Sequence, residues 1–188
     1  MKAVIHILAT LTLIGIISGG ALFSINDWAA PKIKYNEIEE TKKAIFNVQP
    51  EAKDYARVEA EGIEVYEVYN DSNETIGYSL AYVGVGFQGN IRLIVGLSAD
   101  IKKITAMQVL GHTETPGLGD IITKPKYADQ FVGLDIPEYI GWIKAGTATP
   151  KENEIEAYSG ATISQKSVVN ILNAGIKHLR SLKEGGKL

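Results

Sequence analysis

The chain has no cysteine among its 188 residues, which excludes disulfides, thiolate metal sites, iron–sulfur ligation and lipid attachment at a cysteine. Any redox chemistry must therefore come from a bound cofactor. Histidine is scarce as well. Of the three, His6 lies in an apolar run and His178 on a terminal helical pattern, which leaves only His112 for a hydrolase that needs a base and an orienting acid. The net charge is only −3, with lysines and acids interspersed, so the electrostatic footprint of a nucleic-acid-binding surface is missing. No internal repeat or low-complexity tract occurs. What remains is an ordinary globular composition, long enough for one domain and an appendage.

Charge is also absent from residues 3–25, and these 23 positions, at about 1.5 Å each, make roughly 34 Å of helix, enough to cross a hydrocarbon layer of about 30 Å. The run reads as a retained transmembrane anchor within residues 1–30, followed by a soluble domain over 31–188. A cleaved signal peptide competes, since Ser18, Gly19, Gly20 and Ala21 are small, but its apolar stretch normally runs only about 7 to 15 residues. Lys2 precedes the span while Lys32 and Lys34 follow it, so charge bias does not set the orientation. Trp28 suits the headgroup level, and His6 lies near an interface.

Beyond the anchor, Pro31 and Pro50 bracket a Glu- and Lys-rich segment with Ile38, Ile45 and Val48 as apolar points, which predicts an amphipathic helix. Residues 63–69, 76–85, 91–97 and 104–110 are rich in β-branched or aromatic side chains and bounded by Gly, Asn or Asp, which predicts four strands. Short connections favour antiparallel pairing, and the flanking helices give an α+β architecture: an antiparallel sheet of about four or more strands with helices beside it. A short helix is expected near 126–131, with Tyr127 and Trp142 either in the core or beside a ligand.

Ile163, Val169, Leu172, Ile176, Leu179 and Leu182 recur at helical spacing until Gly185 and Gly186, so a helix starts near Thr162. Thr162 has two readings. It caps the helix and forms a capping box with Gln165. Or, with small Gly160 and Ala161 before it, it sits at a helix N-terminus that favours a phosphate. Upstream, residues 111–120 read Gly-His-Thr-Glu-Thr-Pro-Gly-Leu-Gly-Asp. Pro116 stiffens this loop while Gly117 and Gly119 allow angles closed to other residues, which suits a surface passing close to a flat ligand.

Two other patterns carry less. Gly84, Gly86 and Gly89 fit a dinucleotide fingerprint, yet a strand follows where a helix is required, so they read as a hairpin turn. His112 and Glu114 have the spacing of zinc deaminases, but the cysteine partners cannot exist here.

The stretch from Glu156 to Ser164, Glu-Ala-Tyr-Ser-Gly-Ala-Thr-Ile-Ser, resembles the flavinylation motif Asp-x-x-Ser/Thr-Gly-Ala-Thr-x-Ser/Thr. That motif marks the FMN-binding domain shared by the G subunit of Rnf complexes and the C subunit of sodium-pumping NADH:quinone oxidoreductase. Ser159, Gly160, Ala161, Thr162 and Ser164 match, while Glu156 stands in place of the usual Asp. The loop with Glu114, Thr115, Pro116, Gly117, Leu118 and Gly119 resembles that family's second motif, in the right order.

The resemblance implies FMN joined to Thr162 through a phosphoester, with Ile163 and the matching motif residues around it, and with Leu118 against the flavin ring. Glu114 close to the ring would disfavour the anionic reduced form. It further implies an electron-carrier subunit of an ion-translocating ferredoxin:NAD oxidoreductase, a flavin transferase for maturation, other membrane and redox subunits as partners, and a soluble domain on the outer face of the cell membrane. A C-type subunit of the quinone reductase and a cofactor-free membrane assembly module are the alternatives.

Overall fold

The computed structural model describes every residue except 1, 61 and 187, and the chain divides into two units, Met1–Glu40 and Thr41–Leu188. Helix α1 (Lys2–Val48) supplies all the described residues of the first. Over the uncharged run its large apolar side chains, Leu8, Leu11, Ile14 and Ile17 among them, are exposed on every side. An all-round apolar helix needs an apolar surrounding, and this one is long and apolar enough to cross a membrane. The separate helix expected from Pro31 onward is continuous with the span, because Pro31 lies inside α1. Proline removes one backbone bond and crowds the preceding turn, but no glycine or turn cluster stands beside it to end the helix.

In the second unit, five strands form an antiparallel meander in the order β1 (Asp54–Ala60), β2 (Ile63–Tyr69), β3 (Thr75–Val85), β4 (Asn90–Ser98) and β5 (Ile104–His112). Successive side chains point to opposite faces. Val65, Leu80, Leu93, Val95 and Leu97 therefore join the core beneath α3 (Thr162–Glu184). Tyr66, Val68, Ala81 and Ile94 pack with Ala44, Ile45 and Val48 at the end of α1. Burial of both faces explains why β3 and β4 read as nearly unbroken apolar runs. Gly96 lets α1 come close: a Cβ there would stand 2.3 Å from the Val48 carbonyl oxygen. Gln49 fastens the same junction, its Nε2 donating to the Tyr78 and Leu97 carbonyls at 3.1 and 3.0 Å.

The five strands agree with the expected antiparallel sheet of about four or more, and β1 is the one not read individually from sequence. β1 escapes a hydrophobic reading because it is an edge strand with Asp54, Arg57 and Glu59 in it, and none of its residues is fully buried. A second, two-stranded parallel sheet, β6 (Gly141–Lys144) with β7 (Glu154–Ala157), was not expected either. Four residues each is too short for periodicity to show. The expected short helix is α2 (Pro125–Ala128), continued by a 3-10 turn over Asp129–Phe131. Tyr127 belongs to the core, edge-on to Phe131 at 5.4 Å between ring centres. Trp142 is half-buried on β6, with the Lys166 ammonium 4.8 Å from its ring centre.

Candidate functional site

Three connections meet at one end of the sheet: the hairpin between β3 and β4, the loop after β5, and the loop from β7 into α3. The hairpin is closed by Gly86 N–H donating to the Gly89 carbonyl at 2.7 Å, and β4 follows at once. This is a turn geometry and not the helix start that a dinucleotide fingerprint requires.

Between these connections lies a cleft of about 300 Å³ lined by Phe87, Thr115, Leu118, Gly119 and residues 160–164. The two sequence motifs, roughly fifty positions apart, thus share one cleft. Leu118 also borders a second depression, with Gly117, Ser159, Gly160 and Ala161 on its walls together with Lys124 and Asp120. Phe87, Leu118 and Ile163 are 59%, 54% and 57% exposed, three large apolar side chains facing solvent around one opening. Ile163 was read both in the apolar spacing of α3 and, from the family resemblance, beside the cofactor. It faces outward at the cleft, while Val169, Leu172, Ile176, Leu179 and Leu182 fill the core.

Thr162 is the first residue of α3, and its predecessor Ala161 is the N-cap, which has no side-chain oxygen to cap with. The capping-box reading is therefore replaced. The Thr162 hydroxyl points back and donates to the Tyr158 carbonyl at 3.3 Å, and Gln165 bonds Tyr158 instead of the cap. No side chain caps this helix start, and its first residues line the cleft, at the positive end of the helix dipole. Gly160 makes the sharp turn into the helix with φ +92° and room for a neighbour, since a Cβ there would meet only Leu118, at 3.8 Å.

Glu114 does not line the cleft. It is 4% exposed, and its carboxylate knits the three connections together from behind. One oxygen accepts the Phe87 and Gln88 N–H groups at 2.7 and 3.3 Å, and the other accepts the Ser164 hydroxyl at 2.6 Å. Its own N–H donates to His112 Nδ1 at 3.1 Å. Pro116 is exposed at the loop tip. Glu156 lies half-buried on β7, outside both depressions; its backbone is paired with the Gln130 side chain. Burial raises the Tyr158 pKa, with the charge of Glu156 adding to it, and the Lys126 ammonium sits 4.7 Å from the Tyr158 ring centre.

Sequence reasoning missed Phe87 and Gln130, and it gave Gln165 the wrong partner, a capping box in place of the Tyr158 main chain. For Phe87 the signal was there, an aromatic residue in a glycine-rich hairpin where no core needs one. For Gln130 there was none, because its partners are main-chain groups 26 positions along the chain.

An FMN-binding domain model matches residues 86–177. The chain is similar to the G subunit of the ion-translocating oxidoreductase complex of Methanosarcina acetivorans, 31% identical over 98% of each chain. It is also similar to the G subunit of the Na+-translocating ferredoxin:NAD+ oxidoreductase complex of Acetobacterium woodii, 29% identical over 97% of this chain and 95% of that one. Among solved structures, NqrC of Shewanella oneidensis superposes with a TM-score of 0.58 at 20% identity, covering 74% of this chain and 75% of that one. The C subunit of the Na+-translocating NADH-quinone reductase from Parabacteroides distasonis gives 0.58 at 22% identity, over 69% and 76%. These two likenesses establish the fold. Sharing nearly its full length with the Methanosarcina protein, the chain belongs to the family of G subunits of ion-translocating oxidoreductase complexes, with an FMN-binding domain over residues 86–177.

Proposed function

We propose that the protein is an electron-carrying subunit of a membrane-bound ion-translocating ferredoxin:NAD oxidoreductase, working through FMN esterified to Thr162. The observation that carries this reading is the hydroxyl of Thr162 on the first turn of α3, in a cleft whose helix N-terminus no side chain caps. The residues fit the group. First-turn N–H groups suit its phosphate, Gly119 and Gly160 keep the floor and mouth of the cleft low, and Phe87, Leu118 and Ile163 offer apolar surface for a flat ring. When bound, FMN supplies the capacity to accept and pass on electrons that this chain's own side chains lack. Its attachment through phosphate leaves the ring free, so packing and nearby charge set its potential.

The family and the apolar helix make this a membrane protein. We assign the soluble unit to the outer face, the other subunits of the complex as its partners, and a flavin transferase to its maturation. A C-type quinone-reductase subunit shares the fold, but the near-complete match in length and sequence is with G subunits. A cofactor-free assembly module would have no use for an apolar cleft at an uncapped helix end.

Mass spectrometry after denaturation tests the attachment. Wild type co-expressed with a flavin transferase should gain the mass of one FMN, and Thr162→Ala should not. An equal gain in both would move the bond elsewhere, and no gain in either would leave Thr162 without a cofactor.

A further inference from the structure

We propose that Gln165, backed by Gln130, positions the Thr162 hydroxyl for esterification; the inference rests on the attachment reading above. Gln165 lies one residue past the motif and is 0% exposed. Its side chain turns back from the first turn of α3 and grips both main-chain groups of Tyr158: Oε1 accepts the N–H at 2.9 Å and Nε2 donates to the carbonyl at 3.0 Å. The partners force the orientation of the amide, since an N–H needs an acceptor and a carbonyl needs a donor. Gln165 is itself held by the core, where its carbonyl accepts the buried Tyr127 hydroxyl at 3.0 Å.

Two positions earlier the same arrangement recurs. Gln130 Oε1 accepts the Glu156 N–H at 2.7 Å, and its Nε2 donates to the Glu156 carbonyl at 3.2 Å. Two side-chain amides thus take the place of a neighbouring strand for the segment that leads into the Ser159–Ala161 turn.

The link to chemistry is the Tyr158 carbonyl. It accepts the Gln165 amide and also the Thr162 hydroxyl, the latter at 3.3 Å. Holding that oxygen still directs the hydroxyl hydrogen toward it and leaves the oxygen lone pairs free to face the cleft that Thr162 lines. Esterification needs an activated flavin phosphate, a phosphoanhydride such as a flavin dinucleotide. The Oγ–P bond forms, the anhydride P–O bond breaks, and the departing nucleotide phosphate keeps the bonding pair. The hydroxyl proton passes to a base of the transferase or to water, with no change of oxidation state. The ester has no hydrogen to donate to Tyr158, and Gln165 then keeps that carbonyl paired.

The test uses the full-length protein in detergent with a flavin transferase and a flavin dinucleotide, following initial rates of covalent flavin uptake against acceptor concentration. Gln165→Met keeps the volume and removes both bonds. Gln165→Glu keeps the acceptor for the Tyr158 N–H and removes the donor to its carbonyl, and Gln130→Met loosens the outer clamp. Both Gln165 variants should lose about tenfold or more in kcat with the acceptor KM within about twofold of wild type. Gln130→Met should lose less. Circular dichroism and melting establish which variants are folded, and if Gln165→Met is not, Gln165→Glu and Gln130→Met decide. Folded variants esterified at the wild-type kcat, or altered only in KM, overturn the inference. Failure of the wild type to take up flavin would instead overturn the attachment reading.

Discussion

At the scale of single residues, Glu114 shows how one buried carboxylate organises a cleft that it does not line. It accepts from the hairpin at Phe87 and Gln88 and from Ser164 on α3, so its charge lies one hydrogen bond behind the wall. Removing that charge should favour the anionic reduced form of a flavin held there. Glu114→Gln is expected to raise the flavin potential in a redox titration, and an unchanged potential would remove Glu114 from the electrostatics. Gly119 is confined by the same group, since a Cβ there would stand 2.8 Å from Glu114 Cβ and 2.9 Å from Ser164 Oγ. Gly119→Ala should therefore cost about 1–3 kcal/mol in chemical denaturation, as an overpacked site does. Wild-type stability would mean that the Glu114–Ser164 pair can shift aside.

At the scale of elements, the turn from β4 to β5 carries its own electrostatic fastening. Asp100 accepts the Ser98 hydroxyl at 2.6 Å and the Lys102 N–H at 3.1 Å. The Ser98 bond foremost, then the Lys102 backbone, holds its carboxyl below the ordinary value of 3.8. A folded-state pKa below the unfolded one means stability that is present above the unfolded value and lost as pH falls through the folded value. Asp100→Asn should lower the melting temperature near neutral pH, with the difference from wild type vanishing in strong acid. A gap that persists there would assign the effect to shape and not to charge. The neighbouring strands were legible in sequence because burial on both faces wrote long apolar runs into β3 and β4. β1, β6 and β7 were not, because an edge strand and two four-residue strands owe their pairing to neighbours supplied by the fold.

At the scale of the whole molecule, the compact unit begins at Thr41, within α1, where Ala44, Ile45 and Val48 are buried against the sheet. Among the described residues, the members of that unit's two hydrophobic cores all lie at Ala44 or later in the chain. Deletion of residues 1–40 is expected to yield a soluble protein that unfolds cooperatively, and an aggregated or molten product would show that the unit depends on the anchor. A domain with its own core folds by itself.

The sequence by itself determined the features written in local pattern: an uncharged run of membrane-spanning length, the helix beginning at Thr162, the main strands, and two motifs whose pairing pointed to FMN. These survive translation into structure because length, periodicity and turn chemistry act over a few residues. Tertiary structure alone decided what the motifs do to each other. It brought Thr115, Leu118 and Gly119 together with residues 160–164 in one cleft and left Ile163 exposed there. It set the Glu114 carboxylate between the hairpin and α3, behind the cleft wall, and it gave Gln165 to Tyr158 and not to a capping box. Those outcomes depend on which buried polar groups compete for the same partners, and that competition is settled only when distant segments of the chain are packed together.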